Sequence, residues 1–305
     1  MARWTVADLP PLDNRTVVIT GAGGLGFEAA LAMAGKGAEV VLAGRSIAKG
    51  EAALADIRAR IPAARVRFET LDLASLASVE AFADRLAGEG APIDVLMNNA
   101  GVMAPPRRGV TADDFELQLG TNHLGHFALT GRLLPLLQRG RNPRVVAVSS
   151  IAHRNGKIAF DDLQSERRYQ PWAAYSQSKL ANLMFAYEFQ RRSDAGGWGI
   201  AGLAAHPGVA RTELIANGPG GGGAMGVMNL LSGVFFQSAA QGALPQLYAA
   251  AAPEAKPGGF YGPDGFGEAR GYPKPAKPAP QALDQAVAAR LWGVSEALTG
   301  VRFAG

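Results

Sequence analysis

Cysteine is absent from the sequence, and neither sign of charge dominates it. The 305 residues include 30 Lys and Arg, 26 Asp and Glu and no Cys, which gives a net charge of +4. Without cysteine the chain has no disulfide framework, no thiolate nucleophile and no zinc or iron–sulfur site built on thiolates. Basic residues are spread along the chain and not gathered in a stripe, so nucleic acid is not expected as a partner.

Long apolar runs and metal-ligand motifs are missing too. No stretch approaches about 18 uninterrupted apolar residues, and the N-terminal segment lacks the apolar centre of a signal peptide. We therefore expect a cytoplasmic protein without a membrane anchor. His123 and His126 lie three residues apart but belong to no HExxH or Glu-x-x-His pattern, so no bound metal is expected. The chain also lacks a G-x-S-x-G elbow, which leaves hydrolase chemistry without a nucleophile.

What the sequence does contain is a regular alternation of short apolar runs and longer segments of helical spacing. This order is typical of βαβ units, and strands without polar alternation indicate a parallel sheet covered on both faces. We predict one doubly wound α/β domain of the Rossmann type, spanning residues 1–305, with a mostly parallel sheet of about seven strands. The predicted strands are Arg15–Thr20, Ala38–Ala43, Arg65–Leu71, Ile93–Asn98, Arg144–Ser149, Ile200–Ala205 and Gly258–Tyr261.

Helices are predicted between these strands, and Ser75 and Thr111 are placed to cap two of them. The predicted helices are Leu25–Lys36, Ile47–Arg60, Leu76–Ala87, Ala112–Leu137 and Trp172–Arg192, followed by a final helix at Gln281–Leu298.

Two segments depart from the alternation. The glycine-rich Asn217–Gly226 leads into the apolar Val227–Phe236, and together they predict a substrate lid around residues 213–240; a surface linker before a core helix is the alternative. A C-terminal extension, residues 264–305, begins with a proline-rich stretch. We expect Pro273–Pro280 to be an extended spacer, because proline lacks the N–H that helices and sheets use.

The first predicted strand ends in a glycine-rich turn, Thr20–Gly26, that runs into an alanine-rich helix. Such turns let a pyrophosphate approach backbone N–H groups at a helix N-terminus, although they also occur for packing reasons. A strand that binds NAD usually ends in Asp or Glu, which contacts the ribose hydroxyls. Here the second strand is followed by Arg45 and Ser46, and a guanidinium suits a 2′-phosphate. NADP is therefore favoured over NAD; a solvated Arg45 is the alternative.

Tyr175 and Lys179 lie four residues apart in a predicted helix, so they share one face of it. A phenol titrates near 10, and bringing its pKa to about 7 needs roughly 4 kcal/mol of phenolate stabilisation. One cation at about 4 Å supplies about that amount at an effective dielectric near 20. Tyr175 is thereby predicted to act as a general acid or base. The alternative is an ordinary exposed pair.

With the glycine turn, four further motifs occur in a fixed order, and together they resemble the short-chain dehydrogenase/reductase family over roughly residues 14–215. They are the NNAG sequence Asn98–Gly101, Asn122, the pair Ser149 and Ser150, and the YSQSK sequence Tyr175–Lys179. GFEAALAMA, NHLGHF and SSIAHRNGKI are most similar to the branch with retinol dehydrogenases, the WW-domain oxidoreductase and protochlorophyllide reductase. The glycine turn is one residue shorter than the family's T-G-x-x-x-G-x-G, which we interpret as a deletion.

The resemblance implies roles for individual residues. It assigns Tyr175 as acid/base, Lys179 as its tuning cation, Ser150 as the group that orients the substrate oxygen (with Ser149 as alternative), and Asn122 as holder of a relay water. The residues it implies for cofactor binding, with Arg45 and Ser46 from the strand end, are Thr20, Gly21, Gly24, Leu25, Gly26, Arg45, Ser46, Asp72, Leu73, Asn99, Ala100, Gly101, Tyr175, Lys179, Pro207, Gly208, Val209 and Thr212.

The expected activity is hydride transfer between NADP(H) and the carbonyl or alcohol of a medium-sized hydrophobic ketone or aldehyde. Two alternatives stay open at this point. One is an NADPH-dependent carbon–carbon double-bond reductase, although the relative with that activity typically carries cysteine and this chain has none. The other is a catalytically silent NADP-binding sensor, which would be expected to lose Tyr175 or Lys179. A homo-oligomer is expected from the resemblance alone.

Overall fold

Eight strands form one sheet in the order β3-β2-β1-β4-β5-β6-β7-β8. The computed structural model describes residues 3–210 and 237–303. Neighbouring strands are parallel except β7 and β8, which are antiparallel. The strands are β1 Thr16–Thr20, β2 Glu39–Gly44, β3 Arg65–Thr70, β4 Val95–Asn98, β5 Arg144–Val148, β6 Ala201–Ala205, β7 Phe260–Pro263 and β8 Pro273–Pro275.

Strand β1 is flanked by β2 on one side and by β4 on the other, so the strand that precedes β4 in the chain, β3, lies on the opposite side of β1. Val18 pairs with Val41 of β2 on one side and with Leu96 of β4 on the other. The chain therefore reverses its direction of winding between β1 and β4, which opens a crevice at the carboxyl ends of these strands. The sequence-predicted doubly wound, mostly parallel α/β fold is confirmed, with eight strands in place of about seven.

Helices cover both faces of the sheet and bury two apolar clusters. Phe82, Phe127 and Phe189 are fully buried on one face, and Met33 and Ile57 on the other. The helices are α1 Gly24–Ala34, α2 Ile47–Arg60, α3 Leu76–Glu89, a composite α4 (Leu117–Leu119, Gly120–Leu124 and Gly125–Leu137), α5 Pro171–Gly196, α6 Ala239–Ala251 and α7 Gln285–Thr299. No helix among the described residues is both long and apolar enough to span a membrane.

The proline-rich stretch is not merely a spacer, because its first three residues form strand β8. The amide of Asp264 donates to Tyr272 O at 2.8 Å, and the amide of Ala276 donates to Phe260 O at 2.8 Å. Tyr272, Lys274 and Ala276 thus occupy the alternate positions that face β7, and the prolines occupy positions whose amide is not needed. The expectation that proline excludes sheet pairing here was wrong for that reason.

The helix predicted for Ala112–Leu137 starts five residues late and is not regular. Asp114 has a φ of +62°, which no helix accommodates, and Glu116 caps the first turn by accepting the Leu119 amide at 2.7 Å. Thr111 instead accepts the amides of Asp113 and Phe115 in the preceding turn. Five residues of α4, Gly120–Leu124, then form a π-helical turn. Ser75, by contrast, caps α3 as predicted.

Part of the sequence-based interpretation falls on residues that the structure does not describe. Asn217–Gly226, Val227–Phe236 and Thr212 all lie outside the described residues. The predicted lid therefore stays a prediction.

Candidate active site

The glycine turn brings the end of β1 and the start of α1 into very close contact. Gly21 has a φ of +91° and Gly24 a φ of +51°, conformations that suit glycine. A Cβ atom on Gly26 would lie only 1.9 Å from Gly21 O, so the helix can approach the turn only with glycine at that position. The N-terminus of α1 is thereby open to the cleft, where backbone amides can bind an anion.

A cleft of about 470 Å³ lies over the carboxyl ends of β1, β2 and β4. Its wall contains the following residues that the sequence predicted for cofactor binding: Gly21, Gly24, Leu25, Arg45, Ser46, Asp72, Leu73, Asn99, Ala100 and Gly101. Sequence reasoning missed the rest of the wall, which consists of Ala22, Gly23, Ala43, Gly44, Lys49, Leu71, Val102 and Thr121.

Hydrogen bonds between Thr20 and Asn99 connect the end of β1 to the loop after β4. Thr20 is fully buried, and its Oγ1 accepts the amides of Asn99 and Ala100, each at 2.9 Å. The Asn99 side chain donates to Thr20 O at 2.7 Å, whereas its Oδ1 has no partner. The Thr20 hydroxyl also lies 2.8 Å from Nε2 of His126.

His126 completes this network from α4, and sequence reasoning missed it. Its Nδ1 lies 2.9 Å from the carbonyl oxygen of Asn122, so Nδ1 must carry the proton. Burial, with the charge of Lys179 adding to it, lowers the pKa of His126 to about 4. The neutral ring then accepts the Thr20 hydroxyl at Nε2. One histidine thus joins the carboxyl end of β1 to the π-helical turn that carries Asn122.

At the far end of the cleft, the loop after β2 presents basic and hydroxyl groups. Arg45 is exposed, and Ser46 caps α2 by accepting the amide of Lys49 at 3.3 Å. Across the cleft, Asp72 is fixed by accepting the amide of Ala74 at 3.0 Å. Lys49 lies in the first turn of α2, four residues after Arg45, which precedes the helix.

Tyr175 and Lys179 lie together on α5 and are buried, with 7% and 5% of their surfaces exposed. The ammonium of Lys179 lies 5.8 Å from the centroid of the Tyr175 ring and donates to Val148 O at 3.1 Å. Burial lowers the pKa of Lys179 to about 8. Burial also raises the pKa of Tyr175 to about 12, although a hydrogen bond with the Ser150 side chain opposes the rise.

The expected depression of the Tyr175 pKa is therefore absent in this structure. Attraction between phenolate and ammonium favours the charged forms, but the cost of removing both ions from water is the larger effect here. The resting form of Tyr175 is the protonated phenol.

Ser149 and Ser150 differ in what their hydroxyl groups contact. Ser149 is buried and donates to Lys179 O at 2.7 Å. Ser150 begins a short 3₁₀ helix, where its Oγ accepts the amide of Ala152 at 3.2 Å, and it is also the partner of the Tyr175 phenol. The structure thus brings Ser150 to the phenol, and Ser149 to the backbone of α5.

Asn122 lies beside the same two residues in the π-helical turn of α4. Its side chain accepts the amide of Val102 at 2.7 Å and donates to Val102 O and to Ser178 Oγ, each at 2.9 Å. A Cβ atom on Gly101 would lie 2.9 Å from Asn122 Oδ1 and 3.5 Å from Lys179 Nζ, so both groups border one small space above Gly101. A water there can use the second lone pair of Asn122 Oδ1.

The loop after β6, residues 206–210, carries the predicted cofactor residues Pro207, Gly208 and Val209, none of which is in the wall of the cleft. Gly208 has a φ of +65°, and its amide donates to Nδ1 of the buried His206 at 3.2 Å. The amide of Val209 donates to Ala269 O at 2.7 Å, so the loop is held by a later part of the chain. Pro207 accepts a hydrogen bond from the side chain of Gln237.

These features fit a dinucleotide better than a metal ion. A glycine cradle, an open helix N-terminus and the Arg45 guanidinium provide groups for two separate anionic parts of one ligand. Within the described ranges, no three His, Asp or Glu side chains come close enough to hold a metal ion.

Comparison with known proteins agrees with this arrangement. The sequence profile of the short chain dehydrogenase family matches residues 15–218. Human retinol dehydrogenase 12 is 41% identical over 294 residues, covering 96% of this chain and 88% of the relative. Mouse polyprenol dehydrogenase is 42% identical over 298 residues, with 96% and 86% covered. A crystal structure of an uncharacterized protein from Mycobacterium paratuberculosis superposes with a TM-score of 0.83 at 44% identity and covers 100% of both chains.

The profile covers residues 15–218, and the similarity to these two relatives extends over 96% of the chain. They agree with the glycine turn and with the Tyr175 and Lys179 pair found in the structure. The chain belongs to the short-chain dehydrogenase family and is an oxidoreductase related to the retinol dehydrogenases.

Proposed function

We propose that this oxidoreductase transfers hydride between NADP(H) and the carbonyl or alcohol carbon of a medium-sized hydrophobic aldehyde or ketone. The observation that carries the proposal is the buried Tyr175 phenol, which is bonded to Ser150 and lies next to Lys179. Lys179 lies next to Gly101 of the cleft wall, where a Cβ atom on Gly101 would be 3.5 Å from its Nζ, and the same wall includes the glycine turn and Arg45. The family as a whole binds NAD or NADP, so the choice between them belongs to the proposal.

The roles of the residues follow from their protonation states. Bound NADPH supplies the hydride. The Tyr175 phenol, protonated at rest, donates its proton to the carbonyl oxygen as the alcohol forms. The Ser150 hydroxyl orients that oxygen, and the positive charge of Lys179 stabilises the phenolate that remains. The phenolate regains its proton from Lys179, and Lys179 is reprotonated from solvent through the space above Gly101 that Asn122 borders.

NADP preference rests on the basic groups at the end of β2. Arg45 and Lys49 both line the cleft, and Ser46 adds a hydroxyl beside them. A 2′-phosphate placed there would meet two cations and no carboxylate from this loop. Charge-assisted bonds of this kind contribute about 1.5–3 kcal/mol each, enough to decide between the two cofactors.

A hydrophobic substrate is supported by the surface next to Tyr175. Trp172 lies one helical turn before it on α5, with its ring edge-on to the phenol at a centroid distance of 5.9 Å. Its surface is 52% exposed, so the indole offers an apolar face beside the phenol. Two relatives of the chain are named for retinol and for polyprenol.

The test is the absorbance loss of NADPH with a panel of apolar aldehydes and ketones. Turnover that needs both the carbonyl and NADPH, and that disappears in Tyr175→Phe, supports the proposal. Reduction of an enone at its double bond alone would instead indicate the double-bond reductase. Tight NADPH binding without turnover of any carbonyl would indicate the silent sensor. The cytoplasmic location and the homo-oligomer stay predictions.

A further inference from the structure

Residues 264–281, called here the C-terminal segment, lie against two loops of the site at once. One is the Ser150 loop, residues 150–156, which carries the proposed substrate-orienting hydroxyl. The other is the loop after β6, residues 206–210. The two loops follow adjacent strands, β5 and β6, and contacts from the C-terminal segment reach both.

On the Ser150 loop, the C-terminal segment binds residues 153–156. The amide of Ala279 donates to Nε2 of the fully buried His153 at 3.1 Å. The same ring uses Nδ1–H to donate to Ser150 O at 2.6 Å. The side chain of Gln281 donates to Arg154 O at 2.9 Å and to Gly156 O at 3.1 Å. His153 therefore connects the C-terminal segment directly to the backbone of Ser150.

On the loop after β6, the same segment makes equally close contact. The amide of Val209 donates to Ala269 O at 2.7 Å, and a Cβ atom on Gly208 would lie 2.3 Å from that oxygen. The loop therefore lies so close to the segment that only glycine fits at position 208, and moving the loop away would break the bond of Val209.

Glu268 is the residue that joins these two sets of contacts. Its Oε2 accepts Nη2–H of Arg154 at 2.6 Å and lies 3.1 Å from Nε2 of His206, and its Oε1 accepts the amide of Lys277 at 3.0 Å. Because the Gly208 amide donates to Nδ1 of His206, the Nε2 atom carries the proton and donates to Glu268.

All three partners of Glu268 are donors, so only a carboxylate can accept from each of them. A glutamine would turn an NH₂ group toward one of the donors. Burial opposes ionisation of Glu268, yet the bond from His206 and the amide of Lys277 lower its pKa to about 2. The residue also has a φ of +60°, a costly conformation for a side chain other than glycine or asparagine.

We propose that Glu268 is a positioning residue for the reaction, whose carboxylate holds the Ser150 loop and the loop after β6 at one fixed spacing. The expected effect of Glu268 on turnover rests on the proposed function, whereas its effect on the position of the two loops does not. Glu268 acts through Arg154 and His206 and needs no contact with substrate.

Hydrogen exchange tests the structural part without requiring any activity. In Glu268→Gln, we expect amides in residues 150–156 and in residues 206–210 to exchange at least tenfold faster than in the unaltered chain, while those of β1 and β4 do not change. Glu254→Gln, which removes the same charge from an exposed position, is the matched control. Faster exchange confined to the C-terminal segment, or no change, would overturn the inference.

Kinetics test the catalytic part with a double-mutant comparison. Glu268→Gln is expected to lower kcat about tenfold, with the KM for NADPH changed by less than threefold. The same substitution should cost less in a Ser150→Ala background, because the Ser150 hydroxyl it positions is gone. Equal losses in both backgrounds would show that Glu268 does not act through Ser150. If the unaltered enzyme reduced no carbonyl, the proposed function would fail and the exchange experiment would still decide this inference.

Discussion

The ammonium of Lys179 lies 5.8 Å from the centroid of the Tyr175 ring, within a site where burial shifts both pKa values toward the neutral forms. The phenol is therefore protonated at neutral pH and can act directly as the general acid in carbonyl reduction. Alcohol oxidation, by contrast, requires that proton to leave first.

Replacing Tyr175 by Phe keeps the ring and removes the transferable proton. We expect kcat for carbonyl reduction to fall by about 10² or more, as general-acid catalysis is typically worth that much. NADPH binding, measured by the quenching of protein fluorescence, should change by less than threefold. A variant that retained a tenth of the activity would contradict the assigned role.

The pH dependence of reduction should follow Lys179. Its pKa of about 8 means that the ammonium is lost as pH rises through that value, so kcat should be constant below pH 8 and decline above it. Lys179→Arg keeps its charge, and whatever activity it retains should not decline between pH 7 and 10. A decline that persists in this variant would assign the titration to another group.

Cofactor choice should respond to the two basic residues after β2. Arg45→Asp is expected to reverse the preference for NADPH over NADH, and Lys49→Ala to reduce it by about 10-fold, as one charge-assisted bond is lost. Arg60 lies on α2 with Lys49 but is not in the cleft wall, so Arg60→Asp controls for a general change in charge. Equal affinities for NADH and NADPH in the unaltered enzyme would show that Arg45 has no such role.

Trp172 should contact the apolar part of the substrate. Trp172→Ala is expected to raise the KM for an apolar aldehyde about tenfold and to leave the KM for NADPH unaltered, because an aromatic contact contributes roughly 0.5–1.5 kcal/mol beyond its buried area. The change should be smaller for a short aldehyde. Trp4→Phe is the control, because it alters an indole that packs on Tyr248 and not on Tyr175. Equal effects on long and short aldehydes would contradict the contact.

Stability should fall in mild acid because the buried histidines resist protonation. Burial lowers the pKa of His123 to about 3 and that of His126 to about 4, from 6.5 in the unfolded chain. Between pH 6.5 and 4 the unfolded state therefore binds more protons, and each histidine reduces the free energy of unfolding by about 1.4 kcal/mol per pH unit. Urea unfolding at several pH values measures how the free energy of unfolding changes with pH. In His123→Gln this change should be smaller by the contribution of one histidine.

Local sequence was sufficient for the parts of this molecule whose structure is decided locally. The apolar runs located β1, β4 and β5 to within two residues, and Ser75 was correctly placed as a cap. The glycines of the turn likewise indicated the cleft, and the four-residue spacing of Tyr175 and Lys179 indicated that these two side chains lie together.

What sequence could not show depends on contacts between distant segments. The late start of α4 follows from the positive φ of Asp114 and from the cap at Glu116. In the sequence, Thr111 was as good a candidate for the cap as Glu116. Glu268 meets Arg154 and His206 only because β7 lies next to β6, separations of 114 and 62 residues. The pKa of Tyr175 was wrongly predicted because charge can be counted from sequence, whereas loss of water requires a structure.

The alternation of residues in β8 has a consequence for how copies of this protein can associate. Lys274 faces β7, so Pro273 and Pro275 turn their backbone outward, where neither has an N–H to offer. A strand from another chain would find no donors at these positions and could not extend the sheet there. Among the described strands, the border left for sheet extension between copies is the one at β3, where Arg67 and Glu69 pair with each other.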